Sequence, residues 1–232
     1  MNIAIVLASG MGQRMRAGKN KTLLVLGSRP LICHALENFQ KSKAIDKIVL
    51  VVKSGEEKIF AGILVKYPAK KVAAIIAGGQ ERQDSAYNGV RFVQENFRDL
   101  KTAVVLFHNG ANPFVTQAEI QAVIAAAQKN GAAVVAHKTK DTIRQVDGKM
   151  FSLGVVDRAN LWNMQTPQAM RFPLALKAFS QAKRDDFLGT DDVSLVERLG
   201  KKVQIIEASE NNFKVTTPID LELAKIIWKK LH

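Results

Sequence analysis

Asn2-Ile-Ala-Ile-Val-Leu-Ala8 runs without a break into Ser9-Gly-Met-Gly-Gln-Arg-Met15, and Lys21 follows shortly after. An unbroken apolar run suits a central parallel strand covered on both faces. A glycine-rich turn at its end lets backbone N–H groups approach an anion, because glycine has no Cβ to hold it off. Arg14 and Lys21 bring two cations to the same segment. Strand, loop and cations together predict a nucleotide-phosphate site at the end of the first strand.

The pattern repeats outward from this opening. Ile3–Ala8, Lys47–Val52, Val72–Ala77, Ala103–Phe107, Ala132–Ala136 and Val203–Glu207 read as strands, with helical patterns between most of them. Ile32, Ala35, Leu36 and Phe39 recur at helical spacing, as do Ile120, Val123, Ile124 and Ala127. Thr116-Gln-Ala-Glu119 reads as a capping box. Thr217-Pro-Ile-Asp220 opens a last helix with proline at its first position, burying Leu221, Ala224, Trp228 and Leu231. Such alternation predicts an α/β fold with a mostly parallel sheet flanked by helices, and ligands at the carboxyl ends of its strands. His137–Trp162 breaks the rhythm. It is polar, carries the turn signal Val146-Asp-Gly-Lys149, and is expected to project as a β-hairpin.

The 232 residues are expected to form one domain. One cysteine, Cys33, excludes an internal disulfide and fits a reducing compartment, so a cytoplasmic protein is expected. The start lacks a basic n-region, and Ile3–Ala8 is too short for the apolar core of a signal peptide. No apolar run approaches the ~20 residues that span a bilayer. The histidines show no zinc-ligand spacing. The net charge of +13 asks for an anionic partner. Nucleic acid is disfavoured, because the cations are scattered and aromatics reach only 6%, leaving few stacking platforms. A phosphorylated small substrate uses some of these charges.

The first loop matches neither of two familiar phosphate motifs. Gly10 and Gly12 fit a dinucleotide fingerprint, but Met15 stands at its third glycine, and Lys53 ends the second strand where an acidic residue would hold a ribose. Gly12 and Gly18 enclose five residues rather than the four of a P-loop, and Lys19-Asn20 follows.

Leu-Ala-Ser-Gly-Met-Gly-Gln-Arg-Met with Lys21 resembles instead the signature loop of nucleotidyltransferases. Gly78-Gly79-Gln-Glu-Arg82, Asp84-Ser85, Asp141-Thr142, Val156-Asp-Arg158-Ala-Asn-Leu-Trp162, Thr166-Pro-Gln168, Thr190-Asp191 and Phe213-Lys-Val-Thr216 follow in order. Together they resemble the 2-C-methyl-D-erythritol 4-phosphate cytidylyltransferase family of isoprenoid biosynthesis, over nearly the whole chain. Alditol-phosphate cytidylyltransferases that make CDP-ribitol carry much the same motifs, so ribitol 5-phosphate stands as the alternative acceptor.

The resemblance implies a Rossmann-like nucleotidyltransferase fold, with 138–162 as a dimerisation arm. It implies that an acceptor phosphate oxygen attacks the α-phosphorus of CTP and pyrophosphate leaves. Such a step needs positioning and cations against spreading negative charge. By resemblance, Arg14 and Lys21 hold the triphosphate, while Arg158 and Lys214 grip the acceptor phosphate. Thr142 and Thr166 serve as neutral donors. Ala8, Ser9, Gly10 and Gly12, with Gly79 and Ser85, bind the nucleotide. A homodimer is implied, because the family's arm reaches into the partner subunit. Mg²⁺ or another divalent cation is the implied cofactor.

The chain departs from the family where His-Asp-Ala-Ala/Val-Arg-Pro becomes His108-Asn-Gly-Ala-Asn112-Pro113. Asn109 takes the position of an acidic residue implied to hold metal and acceptor, and an amide is a poorer magnesium ligand. Asp191, Asp192 and Glu210 are the carboxylates that could compensate. Asn20 replaces a common proline before the loop lysine, and Gln80 an acidic residue near the base. Two readings follow: an active enzyme that tolerates Asn109, or a nucleotide-binding relative with impaired catalysis.

Overall fold

The structure is a computed structural model that describes residues 1–10 and 20–231. Its centre is a seven-stranded sheet of β1 (Asn2–Ala8), β4 (Lys47–Val52), β5 (Val72–Ala77), β6 (Val104–Asn109), β7 (Ala132–Lys138), β10 (Trp162–Arg171) and β11 (Gln204–Glu207), in the spatial order β11-β7-β10-β6-β1-β4-β5. Only β10 is antiparallel to its neighbours, so the other six strands end at one edge of the sheet; the short strands β2 (Val25–Leu26) and β3 (Arg29–Pro30) pair with each other outside it.

Alternation along β1 explains its continuous apolar sequence. Ala4, Val6 and Ala8 pack into one core layer with α1 (Leu31–Lys41) and α4 (Gln117–Asn130). Ile3, Ile5 and Leu7 face the other layer, under α3 (Arg82–Asn96) and α5 (Phe172–Arg184). Both faces are covered, so no polar position is left along the strand. All eight apolar residues expected to face the core from α1 and α4 are buried. The capping box is reciprocal: Glu119 N–H donates to Thr116 Oγ1 at 3.1 Å, and Thr116 N–H to Glu119 Oε2 at 2.6 Å. After the short α6 (Ser194–Arg198), the last helix, α7 (Pro218–Leu231), begins at the expected proline. Leu221, Ala224 and Trp228 pack over Leu26 and Leu31, joined by Ile227, whereas Leu231 lies beyond that small layer and is exposed.

β10 is the strand that periodicity did not indicate. Thr166, Pro167 and Gln168 interrupt its apolar residues, and its register against β7 shifts between Met164 and Gln168. A proline within a strand fits such an irregularity, where a ladder hydrogen bond is already missing.

The expected hairpin is present as β8 (Ile143–Val146) and β9 (Ser152–Val156), a separate antiparallel pair. Its turn is held by Asp147, whose Oδ1 accepts from the N–H groups of Lys149 and Phe151, both at 2.9 Å. Met150, Phe151, Leu153 and Val155 are exposed on this arm. Among the described residues no helix is long and apolar enough to cross a membrane.

Candidate active site

A cleft opens where β1 and β6 end. Leu7, Ser9 and Gly10 form one wall, and Gly79 to Arg82 form another. Asn109, Ala111 and Lys214 lie opposite, with Lys21 and Thr22 from a single 3-10 turn. An adjoining hollow shares Arg82, Asn109 and Lys214, and adds Thr166, Gln168, Thr190 and Asp191. Lys21, Arg82 and Lys214 thus place three cationic side chains around one continuous space. Negative charge brought into it meets lysine and arginine side chains, which offer N–H donors.

The walls are fixed by polar side chains whose capacities are used up. Ser85 is fully buried, and its Oγ accepts from Ser9 Oγ at 2.9 Å and from Gly79 N–H at 3.1 Å while donating to the Glu81 carbonyl at 3.1 Å. One donor and two acceptor sites are all a serine hydroxyl has. Ser85 therefore ties Ser9 to Gly79 from behind the wall. A Cβ on Gly79 would stand 2.3 Å from Asp84 Cβ, so this close approach requires glycine. Ala8 is buried as well, its carbonyl accepting from Asn20 Nδ2 at 2.6 Å.

On the other side, Arg82 makes a two-pronged pair with Asp192, Nη1 to Oδ1 at 2.8 Å and Nη2 to Oδ2 at 2.6 Å. Burial works against the charge on Arg82, but Asp192 more than offsets it, so the net shift of its pKa is upward. Gln168 holds this loop. Its Oε1 accepts from Asp192 N–H at 2.9 Å and Val193 N–H at 3.1 Å, and its Nε2 donates to Asp191 Oδ2 at 3.0 Å. Asn212, fully buried, donates through Nδ2 to the Thr166 carbonyl at 3.0 Å. It thereby anchors the segment that carries Lys214. Thr166 Oγ1 accepts from Asn109 N–H at 3.3 Å, leaving its hydroxyl proton to be donated elsewhere.

Asn109 Oδ1 accepts from Arg82 Nε at 3.3 Å. A guanidinium only donates, so the amide oxygen must face Arg82, and a cation already occupies the side on which a metal would be bound. The compensating carboxylates are also engaged: Asp192 by Arg82, Asp191 by Gln168 and Ser194, and Glu210 by Lys140 on the surface. Among the described residues no three His, Cys, Asp or Glu side chains are grouped to hold a metal ion. This donor set does not fit a divalent cation held at residue 109.

Next to it, His108 is fully buried, and its Nε2–H donates to the Asn112 carbonyl at 3.0 Å. Burial, reinforced by the charge of Arg82, pushes its pKa down to about 4 despite that hydrogen bond, so the ring is neutral at pH 7. Asn112 is also fully buried, and its Oδ1 has no hydrogen-bond partner among the described residues.

Of the residues expected from sequence, the cleft brings together Ser9, Gly10, Lys21, Gly79, Asn109, Thr166 and Lys214. Gly12 and Arg14 lie outside the described residues. Thr142 and Arg158 stand exposed at the arm and line neither hollow, and Arg158 Nη1 donates to the Lys140 carbonyl. Arg82, Gln168 and Asn212 were given no role by sequence reading. Arg82 stands three residues after Gly79, and a cation close behind such a glycine turn is the signal that points to it.

Comparison with known proteins agrees with this geometry. The family model described as IspD, 2-C-methyl-D-erythritol 4-phosphate cytidylyltransferase, matches residues 2–230. A protein of that name from Geobacillus kaustophilus is 45% identical over 224 residues, covering 97% of this chain and 95% of its own. One from Bacillus mycoides is 44% identical over 225 residues, covering 97% and 96%. The crystal structure of 4-diphosphocytidyl-2C-methyl-D-erythritol synthase from Anaerococcus prevotii superposes with a TM-score of 0.85 at 28% identity, covering 99% of this chain and 96% of that one. With the match running from the first strand to the last helix, the chain belongs to the 2-C-methyl-D-erythritol 4-phosphate cytidylyltransferase family.

Proposed function

We propose that this protein moves CMP from CTP to 2-C-methyl-D-erythritol 4-phosphate and releases pyrophosphate. The observation that carries this reading is the convergence of Lys21, Arg82 and Lys214 on one cleft at the strand ends, in a chain of this family. An oxygen of the acceptor phosphate attacks the α-phosphorus, a new P–O bond forms, and the bond to the β-phosphate oxygen breaks. Negative charge spreads over the non-bridging oxygens and the leaving pyrophosphate, where Lys21 and Arg14 neutralise it. Lys214 holds the acceptor phosphate, assisted by the Thr166 hydroxyl. Ser9, Gly10 and Gly79 border the nucleotide, kept in place by Ser85. Fixed cations in a partly dry cleft stabilise such charge more than water does, without reorganising during the reaction.

The family's dependence on Mg²⁺ is carried over with one change. Because Asn109 faces Arg82, any divalent cation is held by ligands other than residue 109, and the roles above belong to the chain's own cations. Asn109 presents its amide N–H groups to the acceptor instead.

The protein works as a homodimer in which the arm at 138–162 completes the partner subunit's cleft with Thr142 and Arg158. The apolar face of the arm supports this, since Met150, Phe151, Leu153 and Val155 otherwise face water. The rest of residues 1–232 forms one nucleotidyltransferase domain, acting in the cytoplasm. Mixing an Arg158→Ala subunit with a Lys21→Ala subunit tests the shared site. Each variant alone is inactive, and mixed dimers regain one intact cleft. No recovery in confirmed mixed dimers overturns the shared site.

A further inference from the structure

We infer that Asn20 is a positioning residue for Lys21, setting the phosphate-binding cation against the end of β1. Every hydrogen-bonding capacity of its side-chain amide is used. Nδ2 donates to the Ala8 carbonyl at 2.6 Å and to Glu56 Oε2 at 2.7 Å. Oδ1 accepts from Thr22 N–H at 3.1 Å and from Thr22 Oγ1 at 2.8 Å. An asparagine amide offers two donors and two acceptor sites, so the set is complete. The orientation follows from chemistry, because a carbonyl and a carboxylate only accept and a backbone N–H only donates.

These four bonds join three parts of the fold. Ala8 is the last residue of β1, immediately before the Ser9–Gly10 wall. Glu56 stands just before α2 (Glu57–Lys66), beyond the end of β4. Thr22 belongs to the 3-10 turn Lys21–Leu23, which Asn20 caps through its side chain and, through its carbonyl, from Leu23 N–H at 3.0 Å. Lys21 is the first residue of that turn, is only 8% exposed, and lines the cleft. A lysine has a long side chain with many rotamers, so its aim depends on where its backbone is pinned. Asn20 is that pin. Neither aspartate, which lacks the donors, nor proline, which lacks the amide, reproduces it.

The inference rests on the CTP reading, so the test measures CTP binding directly by calorimetric titration, which needs no turnover. Wild type, Asn20→Ala, Lys21→Ala and the double variant are compared, with urea midpoints recorded for each. A hydrogen bond between a charged donor and its ligand is worth about 10- to 100-fold in affinity, so Asn20→Ala is expected to weaken CTP binding about 10–100-fold. In the Lys21→Ala background the same change should add less than about 3-fold, because the group it positions is gone. A merely structural role would lower the urea midpoint but leave the folded protein's affinity intact.

Two further variants keep the test open if Asn20→Ala does not fold. Glu56→Ala removes one anchor from a half-buried position and should weaken CTP several-fold, again only when Lys21 is present. Asn20→Asp sets a carboxylate against the Ala8 carbonyl and Glu56, and adding Glu56→Gln should recover part of the loss. Equal affinity in wild type, Asn20→Ala and Glu56→Ala overturns the inference, as does an equal loss with and without Lys21. Wild-type protein that binds no CTP overturns the nucleotide reading itself.

Discussion

Arg82 and Asp192 are separated by 110 residues of chain, yet they meet in a two-pronged pair at 2.8 and 2.6 Å beside the cleft. Asp192 is only 1% exposed, whereas Arg82 is 34% exposed. Removing the arginine leaves a buried carboxylate without its counter-charge, which typically costs about 3–5 kcal/mol. Solvent access on the Arg82 side places Arg82→Ala toward the low end, roughly 3 kcal/mol. Urea unfolding checks this, and an unchanged midpoint would contradict it.

Lys21→Ala removes the cation proposed to hold the triphosphate. Loss of one such group costs on the order of 100- to 1,000-fold in turnover. Steady-state kinetics should show this loss in kcat together with a raised KM for CTP, with the urea midpoint close to wild type. Near-normal turnover would remove Lys21 from the reaction.

His108 gives the fold a pH dependence whose sign is fixed by burial. Its pKa is about 4 in the folded protein and about 6.5 when the chain unfolds. Between these values the unfolded state binds the extra proton, so stability is full above pH 6.5 and falls as pH drops toward 4. The loss amounts to a few kcal/mol at most. Urea midpoints at pH 7 and pH 5 should differ in wild type and converge in His108→Gln. The same slope in that variant would assign it to other groups.

Gly79→Ala brings a methyl group to 2.3 Å from Asp84 Cβ, and that atom sits on the first turn of α3. The wall must shift, separating Gly79 N–H from Ser85 Oγ. CTP affinity should fall about 10-fold, the order of one lost hydrogen bond. Unaltered affinity would show that the wall adapts freely.

The arm carries a prediction for assembly. Phe151→Asp places a charge among the exposed apolar residues of the hairpin. Sedimentation should report a shift from dimer to monomer, with activity falling alongside it. A monomeric wild-type protein with full activity would dismiss the shared site.

Much of this fold was legible in the chain because β1, β4, β6 and β7 lie in the sheet with both faces covered, and continuous apolar sequence is what that environment selects, while the edge strands β5 and β11 are only half-buried. β10 was hidden for the opposite reason. Thr166 and Gln168 spend their polarity on Asn109 and on the Asp192 loop, so the strand does not read as core. The cations Lys21 and Lys214 were visible through motif resemblance. Arg82 was quoted in a motif but had no assigned role, since only folding brings it beside Asp192 and Asn109. The metal position shows the same limit. Sequence could record that an amide replaces a carboxylate, but only the arrangement of Arg82 reveals which way that amide must turn.

The most direct measurement is pyrophosphate release from CTP and Mg²⁺ with 2-C-methyl-D-erythritol 4-phosphate or ribitol 5-phosphate offered separately, and ATP, GTP and UTP as nucleotide controls. The account predicts release that requires CTP and 2-C-methyl-D-erythritol 4-phosphate together and is far weaker with every other pairing. No release from that pair, by protein shown to bind CTP, would contradict it, and release with ribitol 5-phosphate alone would reassign the acceptor.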